Sequence, residues 1–73
     1  MKRYKNLDND YSITHYQITS YNIIVWFRGK KAYSYSNNGE AGKLHVDKMK
    51  KLAKEGKGLN DYIQNNVWSG YDE

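Results

Sequence analysis

Seventy-three residues allow one domain and no more. With no cysteine, the chain has neither a disulfide framework nor a thiolate metal site, so large side chains, including a 15% aromatic share, must supply the core. The net charge of +4 is unevenly spread: Arg28, Lys30 and Lys31 contribute +3, residues 40–57 another +3, and Asp61, Asp72 and Glu73 −3, a basic middle of the kind that favours nucleic acid or an acidic partner.

Residues 1–10 are polar and charged without periodicity, and are expected to form a flexible basic segment ahead of the domain. Met1-Lys2-Arg3 is followed by no apolar run of the kind a secretory signal carries. The longest apolar stretch, residues 23–27, is far short of the roughly 20 residues a spanning helix needs. A cytoplasmic protein with no membrane role is expected.

Residues 11–19 are rich in β-branched and aromatic side chains, which favours a strand. Its alternation is imperfect, because Ile13 and Ile18 fall on opposite faces. Ser20-Tyr21-Asn22 reads as a turn, and residues 23–27 as the clearest strand. There Ile23, Val25 and Phe27 point one way and Ile24 and Trp26 the other. Two apolar faces suit a central strand. Arg28-Gly29-Lys30-Lys31 supplies a turn with glycine where φ is positive, and Ala32-Tyr33-Ser34-Tyr35-Ser36 alternates with period 2. Asn37 and Glu40 have the spacing of a capping box, opening a helix that runs to about Glu55 and closes on Gly56. Val46, Met49, Leu52 and Ala53 share one face of it. A second, shorter helix carries Leu59, Tyr62, Ile63 and Asn66 at i, i+3, i+4 and i+7, with Val67 and Trp68 pinning its end to the sheet. The expected fold is α+β: a three-stranded antiparallel meander followed by two helices packed on one face, spanning residues 11–68, with an acidic tail at 69–73.

No constellation points to catalysis. His15 and His45 have no companions at a spacing that suggests a nucleophile and base, or a metal site. Gly39-Glu40-Ala41-Gly42-Lys43 fails as a phosphate loop, because its glycines are too close and Leu44 stands where a hydroxyl must hold magnesium. Gly56-Lys57-Gly58 reads as a helix-to-helix turn. A non-enzymatic module without cofactor or metal is expected. Tyr33 and Tyr35 project from one face of their strand, about 6.6–6.8 Å apart. That spacing suits two stacked bases, with Arg28, Lys30 and Lys31 near enough to meet phosphates. The same two rings also suit the buried face beneath the helices. Lys43, Lys50 and Lys54 lie opposite the apolar stripe of the long helix. There they are either an ordinary solvated face or an extension of a basic surface.

From about Ile13 to about Ile63 the order of these features resembles the KTSC domain family. Phe27-Arg28-Gly29 matches that family's strand ending in an aromatic and glycine, and Tyr33-Ser34-Tyr35-Ser36 its Tyr-x-Tyr centre. Gly56, Leu59, Asn60 and Ile63 match its closing segment. The chain departs from the pattern at residues 37–42, which replace a Val-Pro, at Lys54, in the place of a serine, and at Leu59, in the place of a phenylalanine. Such domains occur as small stand-alone bacterial and phage proteins and as an appendage of some lysyl-tRNA synthetases. The resemblance implies a binding module, by analogy with a suggested RNA role. The expected partner is therefore RNA or tRNA, contacted by Tyr33, Tyr35, Arg28, Lys30 and Lys31, then by Lys43, Lys50 and Lys54. The alternative is a host protein bound by a phage-type accessory, anchored on surplus aromatics such as Trp26, Trp68 or Tyr71.

Overall fold

The computed structural model describes residues 1–67, 70 and 71. Four strands form one antiparallel sheet in the order of the chain: β1 (Lys2–Arg3), β2 (Ile13–Ile18), β3 (Asn22–Phe27) and β4 (Ala32–Ser36). The strand that sequence patterning does not reveal is β1. Lys2 and Arg3 pair with Tyr16 and His15, and Tyr4 is buried directly after them. Its hydroxyl accepts a 3.2 Å hydrogen bond from the Leu59 N–H. The segment expected to be loose is thus tied down at Tyr4. Two exposed charged residues and one buried ring are too few to generate a periodic signal.

The imperfect alternation of β2 is resolved by a bulge. Ile13 pairs with Phe27 and His15 with Trp26, so Thr14 and His15 together oppose one residue of β3. The extra residue returns the strand to phase. Ile13 and Tyr16 are buried and Ile18 packs against the same core, although Ile13 and Ile18 have opposite parity. Thr14 secures the bulge by donating its hydroxyl to the Trp26 carbonyl at 3.2 Å. Beyond the bulge, Tyr16, Gln17 and Ile18 pair in register with Val25, Ile24 and Ile23. β3 and β4 then meet through a tight turn, in which the Lys30 N–H donates to the Phe27 carbonyl at 3.1 Å and Gly29 takes a φ of 69°.

Helix α1 (Gly42–Glu55) begins later than the Asn37–Glu40 spacing predicts, with Ala41 at its N-cap and no side-chain cap. The Asn37 backbone N–H donates to the Tyr21 carbonyl at 2.8 Å, tying the end of β4 to the β2–β3 turn, while its side-chain Oδ1 is buried without a partner among the described residues. Residues 37–41 are taken up in turns, with Gly39 N–H donating to Ser36 O at 3.0 Å. The C-terminus is as expected. Gly56 caps α1 at φ 84°, and a Cβ there would lie 2.6 Å from the Lys5 Cβ. Both the backbone and the neighbouring N-terminal segment therefore require glycine. Helix α2 (Leu59–Tyr62) runs on into a π-helical turn (Ile63–Val67). That widening carries Val67, rather than Asn66, into the core beside Leu59 and Ile63. Trp68 lies outside the described residues.

The core sits between one face of the sheet and the helices. Tyr4, Ile13, Tyr16, Ile23, Val25, Phe27 and Tyr35 meet Val46, Met49, Ala53, Leu59, Ile63 and Val67. Among the described residues, no helix is long and apolar enough to cross a membrane.

Candidate nucleic-acid interface

The tyrosine pair of β4 belongs to the helix-covered face. Tyr35 opposes Ile23 and Tyr33 opposes Val25, both of them core residues. Tyr35 is fully buried. Its hydroxyl finds no hydrogen-bond partner among the described residues. Burial pushes its pKa up from the usual 10.0 to about 12, with smaller contributions from Tyr33 and Tyr71. Tyr33 packs against the core, edge-on to Phe27 at 5.6 Å and to Tyr71 at 4.7 Å between ring centroids. A base-stacking platform built on these two rings is therefore excluded. Their alternation reads correctly as β-structure, but the face they share is the one the helices need.

The opposite face carries the other half of each strand. Trp26 and Ile24 of β3 belong neither to the core nor to the apolar residues packed against it, and both are half-buried. One cross-strand row runs Arg3, His15, Trp26, Ala32. The next runs Gln17, Ile24, Ser34. With strands about 4.8 Å apart, the first row spans roughly 14 Å of backbone. Among the described residues, no helix lies over these rows. The face is thus polar and cationic at one edge, aromatic at its centre and small at the other edge.

The basic turn projects from the Trp26 end of this face, because Trp26 and Ala32 are the last pair before it. Arg28, Lys30 and Lys31 are all exposed. Among the described residues, none of them has a carboxylate within ion-pair distance; the pair that is formed joins Lys43 and Asp47. Arg28 is also held in place. Its N–H donates to Ser12 O at 2.8 Å, and its Nε donates to Tyr11 O at 2.9 Å.

The lysines of α1 are a separate matter, since α1 lies on the other side of the sheet. Lys43 donates to Asp47 at 2.8 Å, and that hydrogen bond holds the Asp47 carboxyl below its ordinary pKa. Lys50 donates to the Thr19 carbonyl at 2.9 Å. Lys54 is exposed beside Lys2, Tyr16 and Ile18. Arg28, Lys30 and Lys31 therefore lie in the turn that follows Trp26, where Arg28 and Lys30 also border Asn60 and Gln64 of the helical side, whereas Lys43, Lys50 and Lys54 belong to α1. The histidines also part company. His15 joins the open row, while His45 Nδ1 lies 2.6 Å from the Tyr62 hydroxyl on the helix side. Among the described residues, no group of three or more His, Cys, Asp or Glu side chains is placed to hold a metal.

Sequence reasoning did not place Arg3 or Lys5 at a site, because they lie in the segment expected to be loose, nor Tyr11, which it reads as the first residue of a strand. Trp26 carried a usable signal, since its parity is opposite to that of Val25 and Phe27. Comparison with protein-family models, curated proteins and solved structures finds no match.

Proposed function

We propose that the protein is a small, non-enzymatic module that binds single-stranded RNA across the open face of its sheet. One observation carries the reading: a tryptophan on a sheet face over which, among the described residues, no helix lies, in one cross-strand row with Arg3 and His15 and two residues before the basic turn that begins at Arg28. Unpaired bases stack on aromatic side chains raised from a sheet, while cations at the rim meet phosphates. The ordered motifs that resemble KTSC domains point the same way. A single strand rather than a duplex is favoured because only unpaired bases are free to stack on a ring raised from the sheet.

Fluorescence anisotropy with a labelled mixed-sequence RNA at low salt tests the proposal. Binding is expected to weaken steeply as salt rises, because cation–phosphate contacts release counterions. Trp26→Ala is expected to weaken binding by roughly 5- to 150-fold, the equivalent of about 1–3 kcal/mol for one stacked base. Undiminished binding by that variant would move the interface elsewhere. Absence of RNA binding at low salt, with a protein partner surviving nuclease treatment, would assign the same face to protein recognition.

A further inference from the structure

Beside the Trp26 platform, the exit of β1, the start of β2 and the basic turn enclose a groove of about 410 Å³, within the span of small-ligand sites, roughly 300–1,000 Å³. Its charged lining among the described residues is one-sided: Arg3, Lys5 and Arg28 with His15, and no carboxylate. The nearby Asp10 carboxylate is engaged elsewhere, accepting from Ser12 and from Asn60. Its pKa is lowered chiefly by the Ser12 hydrogen bond.

The groove is also built rather than incidental. Asn6 sits at the junction of the loop. Its Nδ2 donates to Tyr4 O at 3.1 Å and to Ile13 O at 3.0 Å, and its Oδ1 accepts from the Tyr11 N–H at 3.0 Å. Tyr11 is held at φ 60°, a region that bulky residues rarely occupy and that persists only where surroundings impose it. In that conformation its carbonyl receives Arg28 Nε, which fixes the guanidinium and aims its outer N–H groups. A strained aromatic residue, a side-chain amide with three backbone partners and an anchored arginine together shape a pocket lined by cations.

We infer that this groove seats a phosphomonoester group, and, resting on the RNA reading above, that the group is the phosphorylated end of the bound strand. A terminal phosphate carries about −1.5 to −2 at pH 7 against −1 for an internal phosphodiester. Arg3 and Arg28, with Lys5 at the border where its stem runs over Gly56, favour the larger charge, since no carboxylate among the described residues lines the groove. His15 links the two parts, because it pairs with Arg3 on one side and Trp26 on the other. A terminal phosphate in the groove therefore places the adjoining base over the tryptophan.

The test compares short oligouridylates bearing a 5′-phosphate or 5′-hydroxyl, and a 3′-phosphate or 3′-hydroxyl, binding to the full chain. One phosphorylated end is expected to bind at least about tenfold tighter than its hydroxyl counterpart, the loss of a charge-assisted contact or more. Arg3→Gln and Lys5→Gln are each expected to abolish that preference, with unfolding midpoints measured to confirm that both variants fold. Lys48→Gln, on α1, is expected to keep it. Equal affinity for phosphate and hydroxyl at both ends overturns the inference. Inorganic phosphate, followed by the backbone amide resonances of His15 and Arg28, separates this inference from the RNA reading. If no oligonucleotide binds, yet phosphate shifts these resonances in the parent and not in Arg3→Gln, the seat stands and the RNA reading falls. If phosphate shifts nothing and no end is preferred, the seat is refuted.

Discussion

Phe27 and Trp26 are neighbours on one strand, similar in bulk and opposite in fate. Phe27 is buried against the helices, whereas Trp26 stands on the face that, among the described residues, no helix covers. The difference lies in what each meets across the sheet. Phe27 opposes Ile13 and Val25 opposes Tyr16 and Tyr33, so apolar surface continues from strand to strand. Trp26 opposes His15 and Ala32, and Ile24 opposes Gln17 and Ser34, so the apolar surface ends after one strand. A helix needs a continuous apolar stripe to bury its own. Among the described residues, only one side of this sheet supplies it, and the RNA reading proposed above uses the other.

The largest expected effect sets these two residues against each other. Phe27→Ala should cost about 3–5 kcal/mol, the loss on truncating a buried aromatic. A domain of this size holds roughly 4–11 kcal/mol in total, at about 0.05–0.15 kcal/mol per residue. Trp26→Ala removes a half-buried ring and leaves no sealed cavity, so its cost should be clearly smaller than that of Phe27→Ala. Urea unfolding followed by circular dichroism measures both. Equal losses would mean that the open face is as tightly packed as the covered one, and the contrast between faces would not hold.

A second effect is confined to the covered face. The Tyr35 hydroxyl has a pKa raised from 10.0 to about 12 by burial, so the folded state resists the ionisation that the unfolded chain undergoes. Protons are then held more tightly by the folded form, and stability falls as pH rises. The tyrosine's contribution is intact below about pH 10 and is lost progressively up to about pH 12. The total is roughly 2–3 kcal/mol, at about 1.36 kcal/mol per unit. Tyr35→Phe should flatten this alkaline limb and be neutral or stabilising at pH 7, because it removes a buried hydroxyl with no partner among the described residues. Unfolding midpoints from pH 8 to 11.5 in the two proteins check it. An unchanged alkaline limb would show that the hydroxyl reaches solvent.

Much of this was legible in the chain before any coordinates. The strands of the central meander, the Val46–Met49–Ala53 face and the left-handed Gly56 follow from periodicity and glycine chemistry. So does the opposite parity of Trp26 and Phe27. What escaped was non-local. The phase break between Ile13 and Ile18 announces a bulge only once His15 and Thr14 are seen to share Trp26. Lys2 and Arg3 become a strand because β2 offers them an edge, not because their own pattern demands it. Asn37 has the spacing of a cap, but its backbone is held to Tyr21 at the β2–β3 turn and the helix starts only at Gly42. The same holds for the site. The cations of the 28–31 turn could be read directly, whereas their grouping with Arg3, Lys5 and Tyr11 depends on a loop whose key residue, Asn6, looks ordinary in sequence.

The smallest expected effects separate the two basic surfaces. Each lysine or arginine that meets a phosphate contributes about 0.7 to the slope of log affinity against log salt for a single strand. Arg28→Gln, Lys30→Gln and Lys31→Gln, measured singly, should each lower the slope by up to that amount and weaken binding at 100 mM salt. Lys43→Gln, Lys50→Gln and Lys54→Gln lie on the helix side and should leave the slope unchanged, altering affinity only through the general field of the protein, which screening limits to a distance of about 10 Å at 0.1 M salt. Of these, Lys50→Gln should also show a small loss of stability, because its ammonium donates to the Thr19 carbonyl at 2.9 Å. The singles must be compared at matched fractions folded. A slope that falls equally for both sets would spread the strand around the whole molecule and remove the privilege of the open face. A slope that falls only for the helix lysines would place the strand on α1 and leave Trp26 without a role.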